Sequence, residues 1–496
     1  MSLALAPRLS RLPTPLRLLC QFALGAVGAL SLAPFHIAPA ILILLVAGFD
    51  LLKNSPTGRR AFATGWWLGT GYFAVALHWI VEPFQVEAAI YGWMAPFALA
   101  GMAGGLALFW GLAFWAARRL SAGGWALVAM WPLAELARAY VLTGFPWAMP
   151  SQALIDSVLG QGLSLAGPHG MILYLCLVAA VLALPAYSAI RFVVLLVACV
   201  ALFFVPPPAR DVPMTGATLR LVQPNAPQHE KWDPAKIPVF LNRQLDFAAA
   251  PGAPDWIVLP ETALPYLMSD AQPVFDAFGA RAAAPVITGI QREENGAYFN
   301  SLAVLDAQGQ VTQVYDKHHL VPFGEYMPLP WLFRNLGIRG LAARADAAYT
   351  PGPGPELIDL PGLGPVLPLI CYEAVFAQDA RAASPRPNLL LHLTNDAWFG
   401  DFAGPQQHLS QARMRAIEQG LPVARAANTG ISAMISPWGA VLEALPLGTA
   451  GYLDVTVPAP RAATLYARTG DLPWAMLLGG LTLGLIWRRR QAASHM

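Results

Sequence analysis

Val366-Leu367-Pro368-Leu369-Ile370-Cys371-Tyr372-Glu373-Ala374-Val375-Phe376 puts a cysteine at the end of a short apolar run. Such a run reads as a buried strand, and Tyr-Glu followed by a helix-compatible segment reads as a sharp turn into a helix. A thiol at that turn can be exposed and can feel the positive end of the helix, which favours thiolate. Taken alone, a cysteine is more often a small buried hydrophobe. Cys20, Cys176 and Cys199 all lie in long apolar stretches, which leaves Cys371 as the cysteine in a polar region.

Two motifs upstream bear on the choice. In Trp256-Ile257-Val258-Leu259-Pro260-Glu261-Thr262-Ala263 an apolar strand ends in Pro-Glu. The carboxylate therefore falls at a strand's C-terminal end, where open sheets gather active-site groups. In Tyr315-Asp316-Lys317-His318-His319-Leu320-Val321-Pro322-Phe323-Gly324-Glu325-Tyr326 a strand runs into a Pro-Gly turn carrying a lysine and a second carboxylate. Each motif alone also fits a solvated charge at a strand end.

Glu261, Lys317 and Cys371, in that order and each at a strand end, resemble the nitrilase superfamily. The resemblance implies a Glu-Lys-Cys triad on a four-layer αββα sandwich. It extends to Tyr298-Phe299-Asn300-Ser301, Thr394-Asn395-Asp396-Ala397-Trp398-Phe399-Gly400, and Arg413-Met414-Arg415-Ala416 leading to Arg425-Ala426-Ala427-Asn428-Thr429-Gly430. Apolar segments on both sides narrow it to a membrane-bound branch, the apolipoprotein N-acyltransferase family, most specifically over residues 218–455. By the same resemblance Glu325 matches a second glutamate, and Trp232, Tyr372 and Glu373 match positions of importance in the family. Asn300 and Trp398, within the matching motifs, are taken as substrate-binding candidates with Trp232.

Composition points to a membrane class independently. Apolar residues make up 56% of the chain and charged residues 12%, about half the usual share. Mean hydropathy is +0.49. A net charge of +2 gives no case for nucleic-acid binding. The cysteines form neither a zinc spacing nor a disulfide framework. His318 and His319 are adjacent, so on an extended chain they point to opposite faces and cannot share a metal. No metal or other cofactor is expected.

A membrane-crossing helix needs about 20 apolar residues. Candidate spans are residues 16–32, 37–52, 61–81, 89–117, 125–143, 170–189 and 192–205, with an eighth at 474–487. The expectation is therefore a multi-pass α-helical membrane protein of about eight spans carrying an α/β nitrilase-like αββα sandwich. Its parts are a membrane domain (1–207), a catalytic domain (208–472), and a final span with a tail (473–496). Arg8, Arg11, Arg17, Lys53, Arg59, Arg60, Arg118, Arg119, Arg191 and Arg488-Arg489-Arg490 all fall at one set of span ends, and the alternate loops contain no Lys or Arg. By the positive-inside rule both termini are cytoplasmic and the catalytic domain is periplasmic, at a bacterial inner membrane. The first span reads as an uncleaved helix rather than a signal peptide cut after Ser31-Leu32-Ala33, since six further spans follow. Glu135 and Arg138 are spaced to pair on one helix face, and Gly101 and Gly105 form a small-xxx-small step that permits close helix packing.

A thiolate attacks an acyl carbonyl once a base takes its proton. Glu261 is the candidate base, and Lys317 the candidate stabiliser of the oxyanion, assisted by the backbone N–H after Cys371. The stretch 326–338, with Trp331 and Phe333, is unusually apolar for a loop and reads as a lipid-facing lid. The family resemblance implies a phospholipid acyl donor, a diacylglyceryl apolipoprotein acceptor and a ping-pong thioacyl-enzyme; a monomer is expected. Two other classes compete. One is a membrane-tethered amidase or nitrilase with water as acceptor, and the other a transporter or non-catalytic lipid-binding protein. The latter would usually show paired internal repeats of spans, which this sequence lacks.

Overall fold

Strict alternation of inward and outward side chains builds the polar half of the chain. The computed structural model describes residues 7, 9, 11–121, 123–183, 193, 197, 200–208, 210–328 and 348–494. They fall into two units, one of residues 1–81, 93–209 and 465–496, the other of residues 82–92 and 210–464.

Among its described residues the second unit contains twelve strands in two six-stranded sheets. The first sheet runs β12 (Gly451–Pro458), β1 (Met214–Gln223), β2 (Trp256–Val258), β3 (Val286–Glu294), β4 (Ala297–Leu305), β5 (Val311–Asp316). The second runs β11 (Val441–Ala444), β10 (Ala433–Ile435), β9 (Val423–Ala427), β8 (Leu389–Thr394), β7 (Gly364–Ile370), β6 (Ile358–Leu360). Successive residues of a strand face opposite sides of its sheet. Leu219, Leu221, Trp256 and Val258 of the first sheet accordingly meet Val366, Ile370, Leu389 and Leu391 of the second in one buried cluster. The opposite faces are covered by helices. Val222, Ile257 and Ala303 pack with Leu245 of helix Ile237–Ala248 and with Phe275 and Phe278 of helix Gln272–Arg281. Leu367, Leu369 and Leu390 pack with Ala412 and Ala416 of helix Gly404–Gln419. The order helix, sheet, sheet, helix is the expected αββα sandwich.

Strand direction positions the site. β1, β2 and β3 are parallel, and so are β7, β8 and β9. β5 is antiparallel to β4, which is antiparallel to β3, so β5 ends on the same side as β3. Glu261, Lys317 and Cys371 each follow the C-terminal end of a strand, after β2, β5 and β7 respectively.

The first unit is helical. Among the described residues two stretches, Ala88–Leu120, which lies in this unit from residue 93 on, and Val158–Leu182, are long and apolar enough to cross a bilayer, against the roughly eight spans expected. The difference has local causes. Helices Thr14–Ala29, Pro39–Lys53 and Leu127–Tyr140 have 16, 15 and 14 residues. At 1.5 Å per residue they reach only about 21–24 Å, short of a hydrocarbon core of about 30 Å. Helix Leu472–Ser494 has 23 residues but ends in three arginines and polar residues. Of residues 192–205, only 193, 197 and 200–205 are among the described residues. Many large apolar side chains in this unit nevertheless point outward, among them Leu19, Phe97, Leu112, Leu483 and Trp487.

Close helix packing falls elsewhere than expected. A Cβ on Gly101 or Gly105 would meet nothing within 4 Å, so that step is not a packing seam. The seam is between helices Thr14–Ala29 and Gly58–Ala76, where a Cβ on Gly25 would overlap the Leu68 carbonyl oxygen and one on Gly71 the Phe22 carbonyl oxygen. Glu135 and Arg138 do pair, fully buried, and the indole N–H of Trp110 donates to Glu135 at 2.6 Å.

Candidate active site

Glu261 lies three residues past β2, beside Thr262, whose φ of +44° is left-handed. One carboxylate oxygen, Oε1, accepts from Asn300 Nδ2 at 2.8 Å and Lys317 Nζ at 3.3 Å. The other, Oε2, accepts from the Asn395 N–H at 2.9 Å. Glu325 curls back on a turn through Phe323 (φ +65°). It accepts from Lys317 Nζ at 2.8 Å, from Asn300 Nδ2 at 3.0 Å and from the Val321 N–H at 2.8 Å. Lys317 is 1% exposed and ion-paired to both carboxylates. Burial pulls its pKa down, but Glu325 and Glu261 together hold it well above the usual lysine value. The ammonium is therefore a fixed charge.

Cys371 follows β7 directly, and its φ is +51°. A β-carbon makes that conformation costly, on the order of 1 kcal/mol or more, so the surroundings must enforce it. The thiol differs from the exposed thiolate expected. It is only 5% exposed, and the five-residue 3-10 helix that it begins, Cys371–Val375, is too short to supply much dipole. Burial, then the charge of Glu261, push the thiol pKa well above its usual value, opposed by Lys317 and a hydrogen bond with Thr394. The resting group is a thiol, which makes a base at hand a requirement of any nucleophilic role.

Glu373, fully buried, ties this turn to the Lys317 segment. It accepts from the Ile370 N–H at 2.7 Å, the His318 N–H at 2.8 Å and the Tyr315 hydroxyl at 3.0 Å. Tyr372 is buried, edge-on to His319 and Phe376. The two adjacent histidines do not diverge as on an extended chain, because the backbone bends at His319. Their side chains converge on Asp379, with His319 Nδ1 at 2.9 Å and His318 Nε2 at 3.4 Å. The ligand-capable atoms of His318, His319 and Asp379 lie within 4.8 Å of one another, so the geometry allows a shared cation. A proton already fills that role in part. Against the effect of burial, Asp379 and Glu373 hold His318 up at about 10, so its imidazolium bridges the two carboxylates.

Of the expected substrate-binding residues, Asn300 is buried between the two glutamates rather than facing open space. Trp232 is 41% exposed and stands 5.4 Å from the Lys231 ammonium, and Trp398 is half-buried. Trp331 and Phe333 lie outside the described residues. A cleft of about 580 Å³ bounded by Asp255, Trp256, Pro285 and Pro361 opens at the other ends of β2 and β3, away from these groups.

The sequence reading assigned no role to four buried groups. Lys231 donates to Thr262 Oγ1 at 3.0 Å and to the Glu261 carbonyl at 3.4 Å, and burial pulls its pKa down to about 8 against the effect of Glu261. Asp396 meets His408 and Arg425, and Arg425 in turn meets His392, whose ring, like that of His408, reaches the Cys371 carbonyl. Their signal was present: a histidine and an arginine each interrupt an apolar strand, in Leu391-His392-Leu393 and Ala424-Arg425-Ala426.

A sandwich with this set of groups at its strand ends has the fold class of the carbon–nitrogen hydrolases, and the family model of that description matches residues 248–466. A second model, the apolipoprotein N-acyltransferase N-terminal domain, matches residues 24–181. An apolipoprotein N-acyltransferase of Rhodopseudomonas palustris is 35% identical over 95% of this chain and 95% of its own. One of Bradyrhizobium diazoefficiens is 37% identical over 97% of this chain and 96% of its own. The chain belongs to the apolipoprotein N-acyltransferase family and is an acyltransferase of the carbon–nitrogen hydrolase superfamily. Among solved structures, a CN-hydrolase superfamily protein of Xanthomonas campestris is 22% identical over 54% of this chain and 97% of its own, with a TM-score of 0.37.

Proposed function

We propose that this enzyme moves an acyl chain from a phospholipid to the α-amino group of the diacylglyceryl-modified N-terminal cysteine of lipoproteins, as the last step of their maturation. Cys371 Sγ attacks the donor's ester carbonyl while Glu261 takes the thiol proton. The oxyanion forms against Lys317 and the Tyr372 N–H. Collapse expels the lysophospholipid alkoxide, which receives the proton from Glu261, and leaves a thioester on Cys371. The free amine then attacks the thioester, giving an amide and restoring the thiol. Glu325 and Asn300 keep Lys317 and Glu261 in register, and Glu373 and Tyr372 hold the cysteine turn.

The observation that most supports this reading is the Lys317 ammonium. It is buried and held charged between Glu261 and Glu325, and it acts electrostatically on Cys371. A buried cation with two carboxylate partners is expensive to maintain. Its use is to meet negative charge that appears only during reaction. The proposal includes the wider arrangement: about eight spans, residues 208–472 facing the periplasm from the inner membrane, both termini cytoplasmic, and a monomer. Trp232 and Trp398 would contact substrate.

Intact-mass analysis of the purified protein after incubation with phospholipid alone tests the covalent step. One added acyl mass on Cys371 is expected, with none in Cys371→Ser and turnover there abolished or nearly so. Undiminished turnover in Cys371→Ser would remove the nucleophile assignment. Adding a diacylglyceryl lipopeptide should transfer the acyl mass to the peptide amine. Release of free fatty acid instead would identify water as the acceptor and the enzyme as a hydrolase.

A further inference from the structure

The carbonyl oxygen of Cys371 stands at the start of the 3-10 helix Cys371–Val375 and is met by side chains as well. It faces two buried imidazoles, His392 Nε2 at 3.2 Å from β8 and His408 Nε2 at 3.2 Å from helix Gly404–Gln419. Both side chains are fully buried. The other nitrogen of each ring meets a partner whose chemistry fixes the proton. His392 Nδ1 lies 2.8 Å from Arg425 Nη1. A guanidinium only donates, so Nδ1 must accept and the ring proton is on Nε2, aimed at Cys371. His408 Nδ1 lies 2.9 Å from Asp396 Oδ1. Asp396 is held at about 2, with Arg425 and His408 overcoming the effect of burial, so it is a carboxylate that only accepts. His408 therefore carries its first proton on Nδ1, and would donate to Cys371 only when doubly protonated, which burial and Arg425 oppose. His392 is the resting donor. Arg425 is anchored in turn by Asp396 and by the Ile431 carbonyl at 3.1 Å.

We propose that His392, with its tautomer set by Arg425, is a positioning residue for the acyl-transfer step; the inference rests on the thioacyl reading above. A trans peptide is planar, with its C=O and N–H pointing in opposite directions. Pinning the Cys371 carbonyl to the His392 side aims the Tyr372 N–H the opposite way, as a preset donor for the oxyanion. The same contact holds Cys371 in its left-handed conformation, which an unrestrained cysteine would leave. The imidazole touches no substrate atom. It acts by fixing one peptide plane, so that the donor need not reorient as charge develops.

The test separates oxyanion formation from thiol reactivity. Acylation of Cys371 by phospholipid passes through an oxyanion, whereas alkylation by iodoacetamide does not. In the full-length protein in detergent, His392→Leu should slow single-turnover acylation by about 10–10²-fold, less than outright loss of an oxyanion donor. Alkylation should stay within about twofold. His392→Gln, which keeps an N–H of similar reach, should recover most of the acylation rate. Should His392→Leu fail to fold, His392→Asn against His392→Gln makes the same comparison, because the shorter amide cannot span the distance. Unchanged acylation in His392→Leu or His392→Asn, or parallel losses in acylation and alkylation, would overturn the proposal. Absence of any acyl adduct on the unsubstituted protein would overturn the thioacyl reading and this inference with it.

Discussion

Lys317 shows what a single buried charge can be asked to do. Lys317→Met removes the ammonium at nearly constant length. If that charge meets the oxyanion, single-turnover acylation of Cys371 should fall by about 10²–10³-fold, as for loss of one such donor. Phospholipid binding should change far less, since the interaction is made mainly in the transition state. Normal acylation combined with failed transfer to the amine would move the lysine's role to the acceptor. The positions of Glu261, Lys317 and Cys371 at strand ends were readable from sequence, because each stands where a strand-like run gives way to a turn. The state of the thiol was not. Exposure and helix dipole suggested a thiolate, but burial and the neighbouring Glu261 raise its pKa instead. That burial comes from residues such as Thr394, brought in from β8, and spacing along β7 carries no information about them.

At the scale of elements, two contacts join or seat whole segments. His318 links the segment after β5 to Glu373 and Asp379. Its pKa is raised from the ordinary 6.5 to about 10 in the folded protein. The stability it contributes is therefore full below pH about 6.5 and is lost as pH rises through about 10. Thermal unfolding between pH 6 and 10.5 should show a decline that is shallower in His318→Gln; equal slopes would mean that the imidazolium adds nothing. The second contact is the seam of helices Thr14–Ala29 and Gly58–Ala76. Gly25→Val puts methyls into the Leu68 carbonyl and should destabilise by about 1–3 kcal/mol or more. Gly101→Ala enters open space in a helix and should be neutral or stabilising by up to about 1 kcal/mol. Detergent melts in which the two variants behave alike would refute the seam. Glycine spacing identified the wrong pair, since a small-xxx-small step says that a helix can be approached and not by which neighbour.

For the whole molecule, the arginine and lysine pattern makes the strongest claim, because loop charges set orientation independently of how the helices pack. A reporter fused after Pro208 should behave as periplasmic and one fused after Arg490 as cytoplasmic. Finding both on one side would contradict the eight-span count or the charge reading. Hydropathy counts about eight spans, and helix length is a stricter test. Helices Thr14–Ala29, Pro39–Lys53 and Leu127–Tyr140 stop short of the length that crosses a bilayer, and among the described residues Ala88–Leu120 and Val158–Leu182 reach it with enough apolar character.

The sequence by itself determined the elements and the chemistry each carries. Short strand-like runs marked the strands at the site, and Pro-Glu, Asp-Lys and Ile-Cys marked the candidate groups at their ends. These signals are local, since side-chain period and turn residues act within a few positions. Tertiary structure alone decided which groups share a carboxylate and which proton sits where. Asn300 bridges Glu261 and Glu325, and His318 and His319 converge on one aspartate. His392 and His408 meet at the carbonyl of Cys371, 21 and 37 residues away along the chain. Hydrogen bonding and pKa depend on distances of about 3 Å and on exclusion of water. Both are set by how sheets and helices stack, and composition and spacing do not encode them.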